Sequence, residues 1–136
     1  VMDGARRVPA ARWVVADGTA PPFPSRTFQR ILLDAPCSGL GTLRRRPEIR
    51  FRVAETEVAS LAVLQRRMLE AAFALLAPGG RLVYSVCTVT PEETVDVVRD
   101  FDLRPADLPG VVWGNGRLLA PHLTSTDGMF VAVHRA

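Results

Sequence analysis

The hydrophobic and polar positions along the chain alternate in a pattern that predicts an α/β domain. Apolar runs at residues 12–16, 30–33 and 81–87 are typical of strands that are covered on both faces of a sheet. Between the last two runs, apolar residues recur at intervals of three and four from about residue 55 to 77, which predicts an amphipathic helix. A Pro-Gly-Gly sequence at residues 78–80 then ends this helix. The residues expected on its buried face are Leu61, Leu64, Met68, Ala72, Leu75 and Leu76.

The last third of the chain predicts a second helix and two further strands. A proline and two glutamates open the segment 91–101, and they suit the positively charged end of a helix. The apolar segments 116–120 and 129–134 predict short strands. This order of elements indicates a mostly parallel sheet within one domain that takes in residues 1–136.

The start of the chain differs from that of a complete domain of this kind. A doubly wound parallel sheet normally begins with a strand and a glycine-rich turn, whereas the first twelve residues predict no element. We therefore interpret the chain as the C-terminal part of a larger domain, with the N-terminal strands of the sheet missing. Because missing strands leave a sheet edge bare, we expect that the fragment can associate with a second copy of itself.

Composition and charge narrow the class of protein. The net charge is +3 and the isoelectric point is near 9.6, which permits a polyanionic partner. No stretch approaches the ~18 uninterrupted apolar residues of a membrane span and no signal peptide opens the chain, so a cytoplasmic protein is expected. The two cysteines lie 50 positions apart (87 − 37), which matches no metal-ligand spacing, and thiols in the cytosol normally remain free.

Chemically reactive side chains are predicted to meet at one edge of the sheet. Asp17 follows the first predicted strand, while Asp34 and Cys37 follow the second. Cys87 ends the third. Since ligands of open α/β sheets bind outside the carboxyl ends of the strands, these residues mark a candidate site. A turn-forming role for Asp17 and a purely structural role for Cys87 are the alternatives.

An arginine-rich segment, RRRPEIRFR at residues 44–52, directly follows the loop that contains Cys37. Arginine forks onto phosphate oxygens, so Arg44, Arg45 and Arg46 are candidates for a phosphate-contacting surface beside the site. A solvated charged loop is the alternative, because most runs of charge have no partner.

Two cysteine motifs, ILLDAPCSGLGT at residues 31–42 and LVYSVCT at residues 82–88, are joined by the long helix and the Pro-Gly-Gly turn. With the terminal sequence DGMFVAVHRA, they resemble the RNA cytosine-5 methyltransferases of the Fmu/Sun family, which act on small-subunit ribosomal RNA. The resemblance extends from Arg12 to the end of the chain. It implies a class I, Rossmann-like fold that uses S-adenosylmethionine, and it makes the arginines at residues 44–46 candidate RNA contacts.

The resemblance also implies a role for each candidate residue. Cys87 would be the nucleophile, and Cys37 would help to release the enzyme from the methylated RNA. Asp34 would lie beside the methionine end of the cofactor, and Asp17 would lie near its adenine.

The chemistry of cytosine explains why such a site needs a thiol. Carbon 5 is a weak nucleophile, and addition of a thiolate at carbon 6 allows it to attack a methyl sulfonium. Two alternatives stay open: a DNA cytosine-5 methyltransferase in which Cys37 attacks, and a non-catalytic RNA-binding remnant. Because the family's glycine-rich cofactor loop is absent, we expect the isolated chain to bind S-adenosylmethionine weakly or not at all.

Overall fold

Six strands form one sheet, and one long helix packs against it, in the computed structural model, which describes residues 10–135. Within that range no helix is both long and apolar enough to cross a membrane. The strands are β1 (Phe28–Asp34), β2 (Leu76–Val86), β3 (Arg104–Pro105), β4 (Val111–Trp113), β5 (Gly116–Leu119) and β6 (Met129–Arg135). The helices are α1 (Glu55–Leu75), α2 (Val95–Val98) and α3 (Pro121–Thr124), with 3-10 turns at Leu40–Thr42 and Pro47–Phe51.

The sheet order is β1-β2-β6-β5-β4, and β3 also pairs with β6. β1 and β2 are parallel, and their register places Asp34 opposite Ser85. The other described pairings are antiparallel, so the prediction of a mostly parallel sheet is wrong for residues 10–135. For β4 and β5 the physical reason is the tight hairpin that joins them, a connection that only antiparallel strands permit. β6 then runs antiparallel to β2, β3 and β5.

Helix α1 forms where periodicity predicts it, although its buried face is different. The fully or nearly buried residues are Val58, Gln65, Leu69 and Ala72, while Leu61 and Met68 from the predicted face stay partly exposed. Hydrophobic periodicity misplaced this face because its central residue is polar. Gln65 is fully buried, and its side chain makes hydrogen bonds there.

The junction between α1 and β2 is tighter than predicted. The helix ends at Leu75, and β2 begins at once with Leu76, so the Pro-Gly-Gly sequence lies within the bounds of the strand. Gly79 has a φ of 73°, which glycine adopts without steric cost. The ladder with β1 shifts its register between Phe28 and Arg30 to accommodate these extra residues.

Two predicted elements near the ends of the pattern are wrong. Residues 12–16 form no strand, because no described strand lies beside them to supply ladder hydrogen bonds, and Val14 and Val15 are exposed. The helix predicted over residues 91–101 is reduced to α2, because the backbone at Thr94 (φ −121°, ψ −95°) is not helical. The sequence predicts neither a helix nor a strand in the first twelve residues. Residues 1–9 of this segment lie outside the described range.

The late strands are confirmed at β5 and β6, and the core of the molecule forms where β6 enters the sheet. Phe130 on β6, Leu82 and Tyr84 on β2, and Leu69 on α1 are fully buried in one cluster. This core fixes the carboxyl ends of β1 and β2 between the helix and the rest of the sheet.

Two backbone segments touch directly beyond the end of β2. Gly41 N donates to Cys87 O at 3.0 Å, and Gly128 N donates to Gly41 O at 2.8 Å. A Cβ on Gly41 would lie 2.0 Å from Gly128 O and 2.9 Å from Cys87 O. Only glycine therefore allows this approach.

We predict that Gly41→Ala destabilises the protein by about 1–3 kcal/mol, because backbone atoms on both sides cannot move aside as a side chain would. The measurement is denaturant-induced unfolding followed by circular dichroism. Gly18→Ala is the matched control, since the Cβ added there meets only the side chain of Met68. Equal stability losses in the two variants would contradict the prediction.

Candidate active site

The two cysteines come together at the carboxyl edge of the parallel strand pair. Cys37 follows β1, Cys87 follows β2, and their Sγ atoms lie 3.3 Å apart with both side chains partly buried. Parallel strands end at the same edge of a sheet, which is why residues 50 positions apart in sequence meet here. The structure thus confirms that the two cysteine motifs lie together at one edge of the sheet.

Burial and the neighbouring thiol both favour the protonated form of Cys37. Burial raises the pKa of the Cys37 thiol to about 12, and the hydrogen bond with Cys87 acts in the same direction. At neutral pH Cys37 therefore holds its proton and can donate it in the hydrogen bond to the sulfur of Cys87.

The two candidate carboxylates lie in different surroundings. Asp34 is exposed at the end of β1, where its Oδ1 accepts a hydrogen bond of 3.1 Å from Ser85 Oγ on the neighbouring strand. Asp17 accepts hydrogen bonds from N and Oγ1 of Thr19, both at 2.8 Å, and these lower the pKa of its carboxyl. The prediction that Asp17 ends a strand is wrong, and its observed contacts are those of a turn.

Directly behind the thiols, the carboxylate of Glu93 is fully buried. Its Oε1 accepts hydrogen bonds from Ser38 N at 2.8 Å and Gln65 Nε2 at 3.0 Å. Its Oε2 accepts from the hydroxyls of Ser38 at 2.5 Å, Thr88 at 3.0 Å and Thr90 at 3.1 Å. A buried carboxylate is costly unless donors surround it, and five donors do so here.

Helix α1 and strand β2 supply the other side of this network. Gln65 Nε2 also donates to Pro36 O at 2.9 Å, and Tyr84 OH donates to Glu93 O at 2.9 Å. Tyr84 OH also lies 3.2 Å from Gln65 Oε1, an alternative acceptor for its single hydrogen. Burial raises the pKa of Tyr84, so its hydroxyl remains a donor. The network links the helix, the sheet and both cysteine loops.

A cavity of about 320 Å³ opens in front of the two cysteines. This is near the lower end of the ~300–1,000 Å³ typical of small-molecule sites. Its arginine neighbours are Arg46 and Arg52, which both belong to the arginine-rich segment 44–52 predicted to contact phosphate. The residues that line it are Cys37, Ser38, Gly39, Thr42, Arg46, Ile49, Arg52, Val53, Glu57 and Cys87.

The three predicted arginines divide between two acidic partners. Arg45 forms a salt bridge with Asp127, and Arg44 lies 3.7 Å from the same carboxylate. The hydrogen bond from Arg45 lowers the pKa of Asp127. Arg46 reaches the cavity and has a looser contact of 3.5 Å with Glu48, an exposed pair of small energetic weight. Arg46 therefore differs from Arg44 and Arg45, because it faces the cavity while they bind Asp127.

Glu93 is the site residue that the sequence pattern does not identify, since its acidic side chain fits a helix start equally well. The hydroxyls of Thr88 and Thr90 are the signal that marks it, because clustered donors indicate a buried acceptor. Gln65 was missed for the opposite reason, as a polar residue within an amphipathic helix is normally assigned to the exposed face.

Comparison with known proteins gives consistent matches. The profile of the family described as 16S rRNA methyltransferase RsmB/F matches residues 2–135. A Mycobacterium tuberculosis protein named as a methyltransferase without a stated substrate is 46% identical over 121 residues, which cover 79% of this chain and 26% of the relative. The ribosomal RNA small subunit methyltransferase B of Serratia proteamaculans is 41% identical over 111 residues, with the same coverage of 79% and 26%. The chain spans about a quarter of the length of these curated relatives.

Solved structures agree with the sequence matches. NSun6 from Pyrococcus horikoshii, solved with SFG, superposes with a TM-score of 0.76 at 28% identity and covers 98% of this chain and 37% of its own. A methyltransferase homologue from the same organism gives a TM-score of 0.62 at 34% identity, covering 80% of this chain and 39% of its own. The fold is thus that of a class I methyltransferase, represented in part.

The sequence comparison defines this class further. The family profile accounts for nearly the whole chain, and named relatives share more than a third of its residues over the matched region. The chain belongs to the 16S rRNA methyltransferase RsmB/F family, and the resemblance to the Fmu/Sun enzymes is confirmed.

Proposed function

We propose that this chain forms part of a single methyltransferase domain that transfers a methyl group from S-adenosylmethionine to carbon 5 of a cytosine in small-subunit ribosomal RNA. The observation that carries the proposal is the contact between Cys37 Sγ and Cys87 Sγ, 3.3 Å apart at the wall of a cavity. A single base extruded from RNA could enter a cavity of this size. The family membership supports RNA as the substrate.

Cys87 attacks the base in this proposal. Its thiolate adds to carbon 6 of cytosine, and electron density passes through the ring to carbon 5, which becomes a nucleophile. Cys37 stabilises the thiolate, because it retains its own proton and donates a hydrogen bond to the sulfur of Cys87.

The same hydrogen bond accounts for a role of Cys37 in release. After methylation solvent water accepts the proton from carbon 5, and the electrons of that C–H bond form the double bond between carbons 5 and 6. The bond between carbon 6 and Cys87 Sγ breaks, and its electron pair returns to that sulfur as negative charge. A donor at 3.3 Å stabilises the departing thiolate. Without Cys37 the covalent complex should therefore break down more slowly.

The residues present fit the cofactor at its methionine end. Asp34 is an exposed carboxylate at the carboxyl end of β1, where an ammonium group of the ligand can pair with it. We propose Asp17, also exposed, as a contact for the adenosine part. S-adenosylmethionine supplies the methyl group as an electrophilic sulfonium, and support for this cofactor comes from the NSun6 relative solved with SFG, an analogue of it.

The RNA contacts divide according to the partners of each arginine. Arg46 and Arg52 line the cavity, so we propose that they bind the phosphates beside the target base. Arg44 and Arg45 are exposed but share Asp127, and they attract RNA at longer range.

The two alternative functions account for fewer observations. A DNA methyltransferase that uses Cys37 as the nucleophile would leave the second cysteine motif, which places Cys87 3.3 Å from Cys37, without a role. A non-catalytic RNA-binding remnant would need neither the thiol contact nor the cavity in front of it.

We predict that Cys87→Ala lowers the rate of methyl transfer by about a thousandfold or more, because the nucleophile is lost. Cys37→Ala is predicted to slow turnover and to accumulate a covalent complex between protein and RNA, visible on a denaturing gel. Both are measured with labelled S-adenosylmethionine and unmethylated small-subunit RNA, in the protein as its gene encodes it. Loss of transfer with Cys37→Ala alone, with Cys87→Ala fully active, would overturn the assignment.

We predict that Arg46→Gln and Arg52→Gln weaken RNA binding and reduce the slope of affinity against salt by about 0.7–0.9 for each lost phosphate contact. Arg45→Gln is expected to change the slope less, because its guanidinium is already paired. Arg99→Gln is the control, since Arg99 lies beyond α2 and pairs with Asp96. Equal slopes for Arg46→Gln and Arg99→Gln would contradict the proposed contact.

A further inference from the structure

We propose that Glu93 is a positioning residue that holds the two cysteine loops in the arrangement required for attack and release. The catalytic effect of Glu93 rests on the proposed function, whereas the contacts that hold the loops are those of this chain alone. Glu93 is absent from the residues that line the cavity, so it acts through its neighbours and not on the base itself.

The carboxylate binds the residue that directly follows each cysteine. Ser38 comes after Cys37, and Thr88 comes after Cys87. Both hydroxyls donate to Glu93 Oε2, at 2.5 Å and 3.0 Å, and they also lie 2.9 Å from each other. One oxygen atom therefore fixes the separation of two loops that belong to different strands.

The backbone of the first loop is held as well. Ser38 N donates to Glu93 Oε1 at 2.8 Å, so the peptide that joins Cys37 to Ser38 is fixed by the same carboxylate. A peptide and a hydroxyl bound to one rigid group leave the loop little freedom to rotate. The direction of the Cys37 side chain follows from this restraint.

Glu93 is itself oriented from the opposite side. Gln65 on α1 and Thr90 donate to its carboxylate, while Tyr84 on β2 donates to its backbone carbonyl. Gln65, Tyr84 and Glu93 are fully buried, so solvent offers no alternative partner. The rigidity of the helix and sheet is thereby passed to the loops that contain the thiols.

Five donors converge on the two oxygens of Glu93, two of them N–H groups on Oε1 and three of them hydroxyls on Oε2. A glutamine has the same shape, yet its NH₂ group would either oppose the two N–H donors or force the hydroxyls to turn from donors into acceptors. The conservative change Glu93→Gln should thus displace the loops while keeping the side-chain volume.

The kinetic test compares Glu93→Gln with Glu92→Gln in the protein as its gene encodes it. We expect Glu93→Gln to lower kcat about a hundredfold with KM for RNA and cofactor changed less than twofold, since misplacement of reacting groups by ~1 Å has an effect of that size. Glu92 is exposed and next in sequence, so its variant should match the wild type. Equal kcat for the two variants would overturn the proposal.

A second measurement reports the thiol geometry without requiring activity. Phenylarsine oxide bridges two adjacent thiols: two As–S bonds form, and the two thiol protons leave with the arsenic-bound oxygen as water. We expect wild-type protein to be bridged between Cys37 and Cys87, and Glu93→Gln to react at least tenfold more slowly. Cys37→Ala and Cys87→Ala, each keeping one of the two thiols of the site, set the rate of unbridged reaction.

The two measurements separate the failure of this inference from the failure of the proposed function. If the wild-type protein methylates no RNA, a loss of thiol bridging in Glu93→Gln still supports the positioning role of Glu93. Folded Glu93→Gln with low kcat and wild-type bridging overturns it. If that variant does not fold by circular dichroism, Thr88→Val removes one donor at constant shape, and unchanged kcat and bridging in Thr88→Val would equally overturn the proposal.

Discussion

The parallel pairing of β1 with β2 is the constraint on which the rest of the site depends. The ladder sets Asp34 opposite Ser85, so the segments that follow β1 and β2 leave the sheet side by side and in the same direction. A slip of one residue would turn every side chain to the other face, and the two thiols would no longer meet. The backbone contacts of Gly41 with Cys87 and Gly128 continue this alignment beyond the strand ends.

The buried carboxylate of Glu93, behind the thiols, fixes the distance between the two aligned cysteine loops. A packed apolar side chain in place of Glu93 would avoid the cost of burying a carboxylate. It would, however, leave the hydroxyls of Ser38 and Thr88 without their shared acceptor. The buried carboxylate of Glu93 is thus retained despite the free energy that its burial requires, because both cysteine loops bind to it. The thiol contact of 3.3 Å lies directly in front of this carboxylate.

The meeting of Cys37 and Cys87 could be predicted from sequence, because apolar runs identify strands and parallel strands share their carboxyl edge. The direction of the late strands could not, since hydrophobic patterning does not encode it. Asp17 was misplaced because a strand requires a partner, and no described strand lies beside residues 12–16. Gln65 and Glu93 escaped detection because their burial depends on hydrogen bonds between residues 28 positions apart, which local periodicity cannot register.

The central claim is that one sulfur attacks the base while the other keeps its proton, and identification of the attacking sulfur tests it most directly. RNA with 5-fluorocytosine at the target position traps the covalent adduct, because the carbon-5 fluorine cannot leave as a proton does. Trypsin separates the two thiols into peptides 31–44 and 82–99, and mass spectrometry identifies the one attached to the nucleotide. The account predicts the adduct on peptide 82–99 at Cys87, and an adduct on peptide 31–44 at Cys37 would contradict it.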